Sequence, residues 1–169
     1  MSAQVNCADM PDFHAAWSLS RGRFLAELDG LSHEQLNWRL YPGSLSIAEA
    51  AIHTAGIEVK FGCAIEGIEV PAELTRVAAA ATEGVVNDNP FPYSSEEMTP
   101  EYVLSVLQAS KDIVEPALLD PTAARREVTM VSALGPVITG EGAMARLTFH
   151  AAYHQGQTYQ VKNAPGFPA

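Results

Sequence analysis

Between Ser46 and Gly62 the chain is written as a helix. Ser46-Ile47-Ala48-Glu49 is an S-x-x-E capping box, in which a serine hydroxyl and a glutamate carboxylate satisfy backbone N–H groups left free at a helix start. A proline-free run rich in Ala and Ile follows, and on a 3.6-residue period Ala50, His53, Ile57 and Phe61 share one face. An apolar stripe on a helix must be buried against another element, so this segment demands partners of similar length.

The chain supplies them. From Pro11, a good first-turn residue, Phe13, Trp17, Ser20, Phe24 and Leu28 recur at steps of three and four until Gly30. Thr99-Pro100-Glu101 opens another period through Tyr102, Val103, Val106, Leu107, Ile113, Val114 and Leu118, with Pro116 leaving its end undefined. A last helix is expected from about Glu141 to Lys162, with Leu147, His150, Ala151, His154, Thr158 and Val161 on one face and Asn163-Ala164-Pro165-Gly166 as its stop. Ser32 with Gln35 fits a short capped turn, and Tyr41-Pro42-Gly43-Ser44 is a breaker. Pro71–Ala81 reads as a modest helix and Gly84–Pro92 as loop. Glu127–Val131 and Pro136–Thr139 are short and β-branched, which suggests a small hairpin or an extended excursion before the last helix. The expectation is an all-α fold, a four-helix bundle with one long crossover, forming a single domain over residues 1–169.

Composition removes several function classes. No apolar run approaches the roughly 20 residues that span a bilayer, so no membrane partner is expected. Met1–Asp9 has neither a basic region nor a long apolar stretch and does not read as a signal peptide. The net charge is −10, and Arg125-Arg126, the one adjacent basic pair, sits beside Asp120 and Glu127. A phosphate-binding surface needs clustered cations, so nucleic acid is not expected as a partner. Cys7 falls in an expected tail and Cys63 in a helix. Two such cysteines give neither a disulfide framework nor zinc-finger spacing, and Cys63 reads as a small buried hydrophobe. A reducing, cytoplasmic location is the default reading.

The chemistry-bearing pattern is His150-Ala151-Ala152-Tyr153-His154. On a helix, residues four apart stack on one face with a rise of roughly 6 Å, from about 1.5 Å per residue, so both imidazoles can converge on one metal ion. His53 lies on another inward face. Imidazole suits zinc, nickel, copper and iron, the ion expected here is a divalent zinc, nickel, manganese or iron, and three ligands leave a position for water or substrate, as in a catalytic site. From spacing alone, core histidines with satisfied hydrogen bonds are the favoured reading. His14 and His33 read as structural or solvated. H-E-x-x-H is absent because positions 151 and 152 are both alanine, and G-x-S-x-G, G-x-G-x-x-G and the phosphate-binding loop motif are absent too. Glu49, one turn before His53, is a candidate to reach a bound water, with capping as its other role. Gln157, three residues past His154, is a candidate hydrogen-bond partner for a ligand or for a ligating ring. Tyr153 reads as packing.

These segments resemble the DinB/YfiT-like family. Leu45–His53 with Gly56-Ile57-Glu58 and Glu66-Gly67 is similar to the second helix of that family, and His150-Ala151-Ala152-Tyr153-His154-Gln155-Gly156-Gln157 to its last, with the closing Pro165-Gly166-Phe167-Pro168 in keeping. The resemblance implies an up-down-down-up bundle, often a homodimer, with a divalent metal held by His53, His150 and His154. It also implies thiol-dependent transferases or isomerases that use bacillithiol or mycothiol, or metal-dependent hydrolases, each acting on a small-molecule substrate. Two positions depart from the family pattern: Gln155 stands where an arginine is common after the second histidine, and Ala151 where an acidic residue is common after the first. Both departures remove charge beside the site and leave the three ligands in place. Three classes follow: a metal-dependent thiol S-transferase or hydrolase, a non-catalytic metal-binding or stress-response protein, and a plain helical dimerisation module.

Overall fold

A computed structural model describes residues 12–169; Cys7, the amino-terminal stretch tested for a signal peptide and the helix start at Pro11 lie outside the described residues. Four long helices carry the structure: α1 (Asp12–Leu28), α3 (Ile47–Glu66), α5 (Pro100–Leu119) and α7 (Gly140–Lys162). Shorter elements join them: α2 (His33–Asn37), α4 (Thr75–Ala79) behind a 3-10 turn at Ala72–Leu74, α6 (Ala123–Glu127), and the antiparallel pair β1 (Thr129–Val131) and β2 (Val137–Thr139).

Side-chain pairings give the direction of each helix. The end of α7 meets the end of α1, where Lys162 Nζ donates to Glu27 Oε2 at 3.0 Å and Gln155 Nε2 to Glu27 Oε1 at 3.2 Å. These two helices therefore run parallel. The start of α3 adjoins the end of α7, with Ile47 and Ala50 sharing a surface groove with Thr158 and Val161. Along α3 and α5 the contacts advance together, Glu58 with Ser110 and then Gly62 with Ile113 and Val114, so these helices are parallel to each other. The order is up-down-down-up.

Two parallel neighbours need a return connection of bundle length, and residues 67–99 supply it. Gly67 stops α3 in the left-handed conformation at φ 66°, a region glycine adopts freely. The chain then packs α4 across α3 at Gly56, where a Cβ would sit 2.5 Å from the Val77 carbonyl oxygen and 2.8 Å from the Ala81 nitrogen. Only glycine permits that approach, and it carries the Ala80 carbonyl to the face of α3 that bears His53.

The capping box of α3 forms as the sequence indicates: Ser46 Oγ accepts from the Glu49 amide at 3.2 Å and Glu49 Oε2 from the Ser46 amide at 2.8 Å. The Ser32–Gln35 box forms as well. The helix α3 runs past Gly62 to Glu66, because Gly62 serves as a flat contact for α5 and not as a stop. The 71–81 segment is a 3-10 turn plus the short α4, and α5 accommodates Pro116 in its last turn. The excursion before the last helix is a true hairpin turning at Gly135, φ 100°. Sequence reading missed α6, one turn capped by Thr122. No described helix is long and apolar enough to cross a membrane.

Inside the bundle, Trp17, Phe24, Ile52, Leu107, Leu118, Met144 and Leu147 are all fully buried, as is Cys63, whose thiol pKa is pushed up by burial. A charged group shares this interior. Glu58 accepts from Trp17 Nε1 at 2.9 Å, from Arg21 Nε at 2.9 Å and from Ser110 Oγ, while Arg21 also donates to the Leu107 carbonyl. Every polar group in the cluster has a partner, which is the condition for holding a buried ion pair.

Candidate metal centre

The register of α3, set by its capping box, turns His53 inward toward α7, where His150 and His154 occupy successive turns. The rings meet closely: His53 lies 5.0 Å from His150 and 5.0 Å from His154 between centroids, and His150 and His154 are 4.7 Å apart. One nitrogen of each ring lies within 4.8 Å of those of the other two. His53 and His154 are buried, and His150 is half-buried at the cavity wall.

Hydrogen bonds select which nitrogens remain free. His53 Nδ1 donates to the Ala80 carbonyl at 2.9 Å, which leaves its Nε2 as the available donor atom. His154 Nδ1 donates to Gln157 Oε1 at 2.8 Å, and its Nε2 is buried with no partner among the described residues. His150 Nδ1 is likewise buried and unpartnered. Buried polar atoms are nearly always satisfied, so two such orphans on facing rings are the mark of a missing partner. Burial pushes all three imidazole pKa values down. His150 falls to about 3, with repulsion from His154 and His53 contributing, and His154 to about 4, with repulsion from His53 partly offset by Gln157. All three are therefore neutral at pH 7, the form that ligates a metal. Neutral nitrogen donors, orphaned lone pairs and carbonyl or amide support behind two rings fit a divalent cation.

The same shifts fix a pH dependence for the metal-free protein. An unfolded chain takes up a proton at each histidine below about pH 6.5, whereas the folded site holds His150 and His154 neutral down to about 3 and about 4. The unfolded state then binds more protons, so stability falls as pH drops from about 6.5 toward about 4, by up to about 1.4 kcal/mol per pH unit for each histidine. Urea unfolding of the metal-free protein at pH 7, 6 and 5 should show this loss, and a His150→Leu variant should show a shallower one.

The centre forms one wall of a cavity of about 600 Å³. Ile57 and Phe61 of α3, Val85 and Val86 of the crossover, Phe149 and Tyr153 of α7 and the hairpin turn at Ser132–Leu134 enclose it. Tyr153, read from sequence as packing, stands edge-on to His154 at 5.1 Å and lines this space. Gln157 supports His154 from behind, and Gln157→Ala should weaken metal affinity about 10-fold with little change in stability, as measured by competition with a chromogenic chelator. Glu49 does not line the cavity: its carboxylate is occupied by the capping box and by Arg39. His14 pairs with Glu115 at 3.0 Å and His33 with the Ser95 carbonyl at 2.7 Å, both away from the centre.

An inward histidine on the second long helix, two more a turn apart on the last, and an up-down-down-up bundle around them are now in place. A family profile for the DinB superfamily matches residues 16–158. The chain belongs to the DinB superfamily. None of the curated proteins matches the chain. Within this DinB-like bundle, sequence reading missed the Ala80 carbonyl behind His53, the Arg21–Glu58 pair and the hairpin wall of the cavity. The first had one available sign: Gly56, a glycine in mid-helix, marks a close backbone approach.

Proposed function

We propose that this chain is a metal-dependent enzyme that transfers a low-molecular-weight thiol, of the bacillithiol or mycothiol type, onto a small electrophilic substrate. The observation that carries this reading is the position of the three neutral imidazoles, at the wall of an apolar cavity of about 600 Å³ and not in a closed pocket. A divalent zinc, nickel, manganese or iron ion held there would act as a Lewis acid and lower the pKa of a coordinated thiol or water.

The protein's part is to orient and to exclude. Ala80 and Gln157 fix two of the rings, and Phe61, Val85, Val86 and Phe149 give the substrate an apolar, water-poor seat. No Asp or Glu lines the cavity among the described residues. This favours thiol transfer over hydrolysis. A thiol activated by an ion needs only to release its proton to solvent, after which sulfur–carbon bond formation proceeds as the leaving group departs with its electron pair. Hydrolysis of an ester or amide gains from a carboxylate that moves protons to and from the reacting atoms, and Glu49 is committed elsewhere.

The test is to strip the protein with a chelator, reload it with zinc, nickel, manganese or iron, titrate it with bacillithiol and mycothiol, and assay an electrophile panel. Thiol binding and turnover that depend on the ion support the proposal. Turnover of esters without a thiol would make the protein a hydrolase. Metal uptake with neither activity would leave a non-catalytic metal-binding protein.

A further inference from the structure

The charge on the cavity wall is uneven in an informative way. The chain carries 20 acidic residues, yet none lines this cavity among the described residues, and its one formally charged wall residue is Arg146. Arg146 lies four residues before His150 on α7, so the two stand one helical turn apart on one face. Arg21, Arg39, Arg76, Arg125 and Arg126 are each paired with a carboxylate, and Arg23 is exposed on α1. Arg146 has none among the described residues. It makes a single hydrogen bond, from its guanidinium to Ser132 Oγ at 3.0 Å, and that hydroxyl also accepts from the Leu134 amide at 3.2 Å. A half-buried guanidinium thus faces an apolar space with most of its donors unused. Three neutral imidazoles would leave the charge of a bound cation uncompensated as well, so the cavity selects for negative charge in its ligand.

We infer that Arg146 anchors a carboxylate, and that the cavity takes acids with an apolar body. The planar fork of arginine matches a carboxylate in two-point contact. In the metal-free cavity one guanidinium balances a monoanion, whereas a phosphate dianion would leave net charge among Phe61, Phe149 and Leu134. The inference rests on the cavity being the reaction site proposed above. Its anchoring half concerns the protein without metal and is tested there, so that it fails or stands separately from thiol transfer.

The experiment is isothermal titration of the metal-stripped protein at pH 7.5 with 4-phenylbutyrate and with its neutral isostere 4-phenylbutanamide. The wild type should bind the acid at least 10-fold more tightly than the amide. Arg146→Gln should reduce that preference to within 2-fold while still taking up zinc. If circular dichroism shows Arg146→Gln to be unfolded, Arg146→Lys carries the test: it keeps the charge but loses the fork, and should lose at least 3-fold of the preference. No preference in the wild type, a preference that survives in Arg146→Gln, or an undiminished one in Arg146→Lys would each overturn the inference.

Discussion

Replacing His154 with alanine should abolish stoichiometric metal binding while leaving the metal-free protein about as stable as before. Affinity should fall by more than the roughly 10- to 100-fold that loss of a supporting contact costs, because a ligand itself is removed. Two histidines would remain, His53 and His150, and neither has another ligating side chain within reach among the described residues. Stability behaves differently because His154 Nε2 is buried without a partner in the metal-free state. Removing an unsatisfied buried nitrogen relieves a penalty of about 1–3 kcal/mol, which offsets the packing lost with the ring. Metal content by plasma emission spectroscopy and unfolding by urea, on the same stripped and reloaded samples, separate the two effects. A variant that binds metal as the wild type does would show that His154 is a core residue.

The opposite pattern is expected at Glu58. Glu58→Ala should destabilise the fold by about 3–5 kcal/mol, the range for breaking a buried ion pair from one side. The substitution strands Arg21, a buried charge, with only the Leu107 carbonyl and frees Trp17 Nε1, while Ser110 Oγ falls back on the same Leu107 carbonyl. Ser110→Ala, which removes one hydrogen bond and no charge, should cost about 1–2 kcal/mol. Chemical denaturation of both variants checks the ratio. Because Glu58 does not line the cavity, the folded fraction of a Glu58→Gln protein should still take up metal. Equal costs for Glu58→Ala and Ser110→Ala would mean that the carboxylate contributes no more than an ordinary acceptor.

The four long helices were legible because each has an apolar period that no strand satisfies, and α3 and α5 also have a chemical start. Ser46 and Glu49, Thr99 with Pro100, and the inward set on the last helix all read correctly, and His53 could be placed inward because it shares a face with Ala50 and Ile57. The crossover was less legible. Its path is fixed by α4 lying on Gly56, and its contribution to the site is a backbone carbonyl, which no side-chain pattern reports. Arg21 and Glu58 escaped for another reason. A lone charge on a helix reads as solvent-facing, and only the fold brings two of them together in the interior across 37 residues of sequence. The cavity was illegible as well: its walls come from α3, the crossover, the hairpin turn and α7, and the turn at Ser132–Leu134 gave no hint that it would cover His150. Glu49 shows the limit of a face argument, since it stands one turn before His53 yet its carboxylate is held by Ser46 and Arg39.

The three imidazoles are placed to bind one ion. Anomalous diffraction at the zinc edge from crystals of the zinc-loaded protein tests it most directly. The structure predicts a single strong peak within about 2.0–2.1 Å of one nitrogen each from His53, His150 and His154, open toward the cavity. A peak held by other residues, or none beside these three rings, would contradict it.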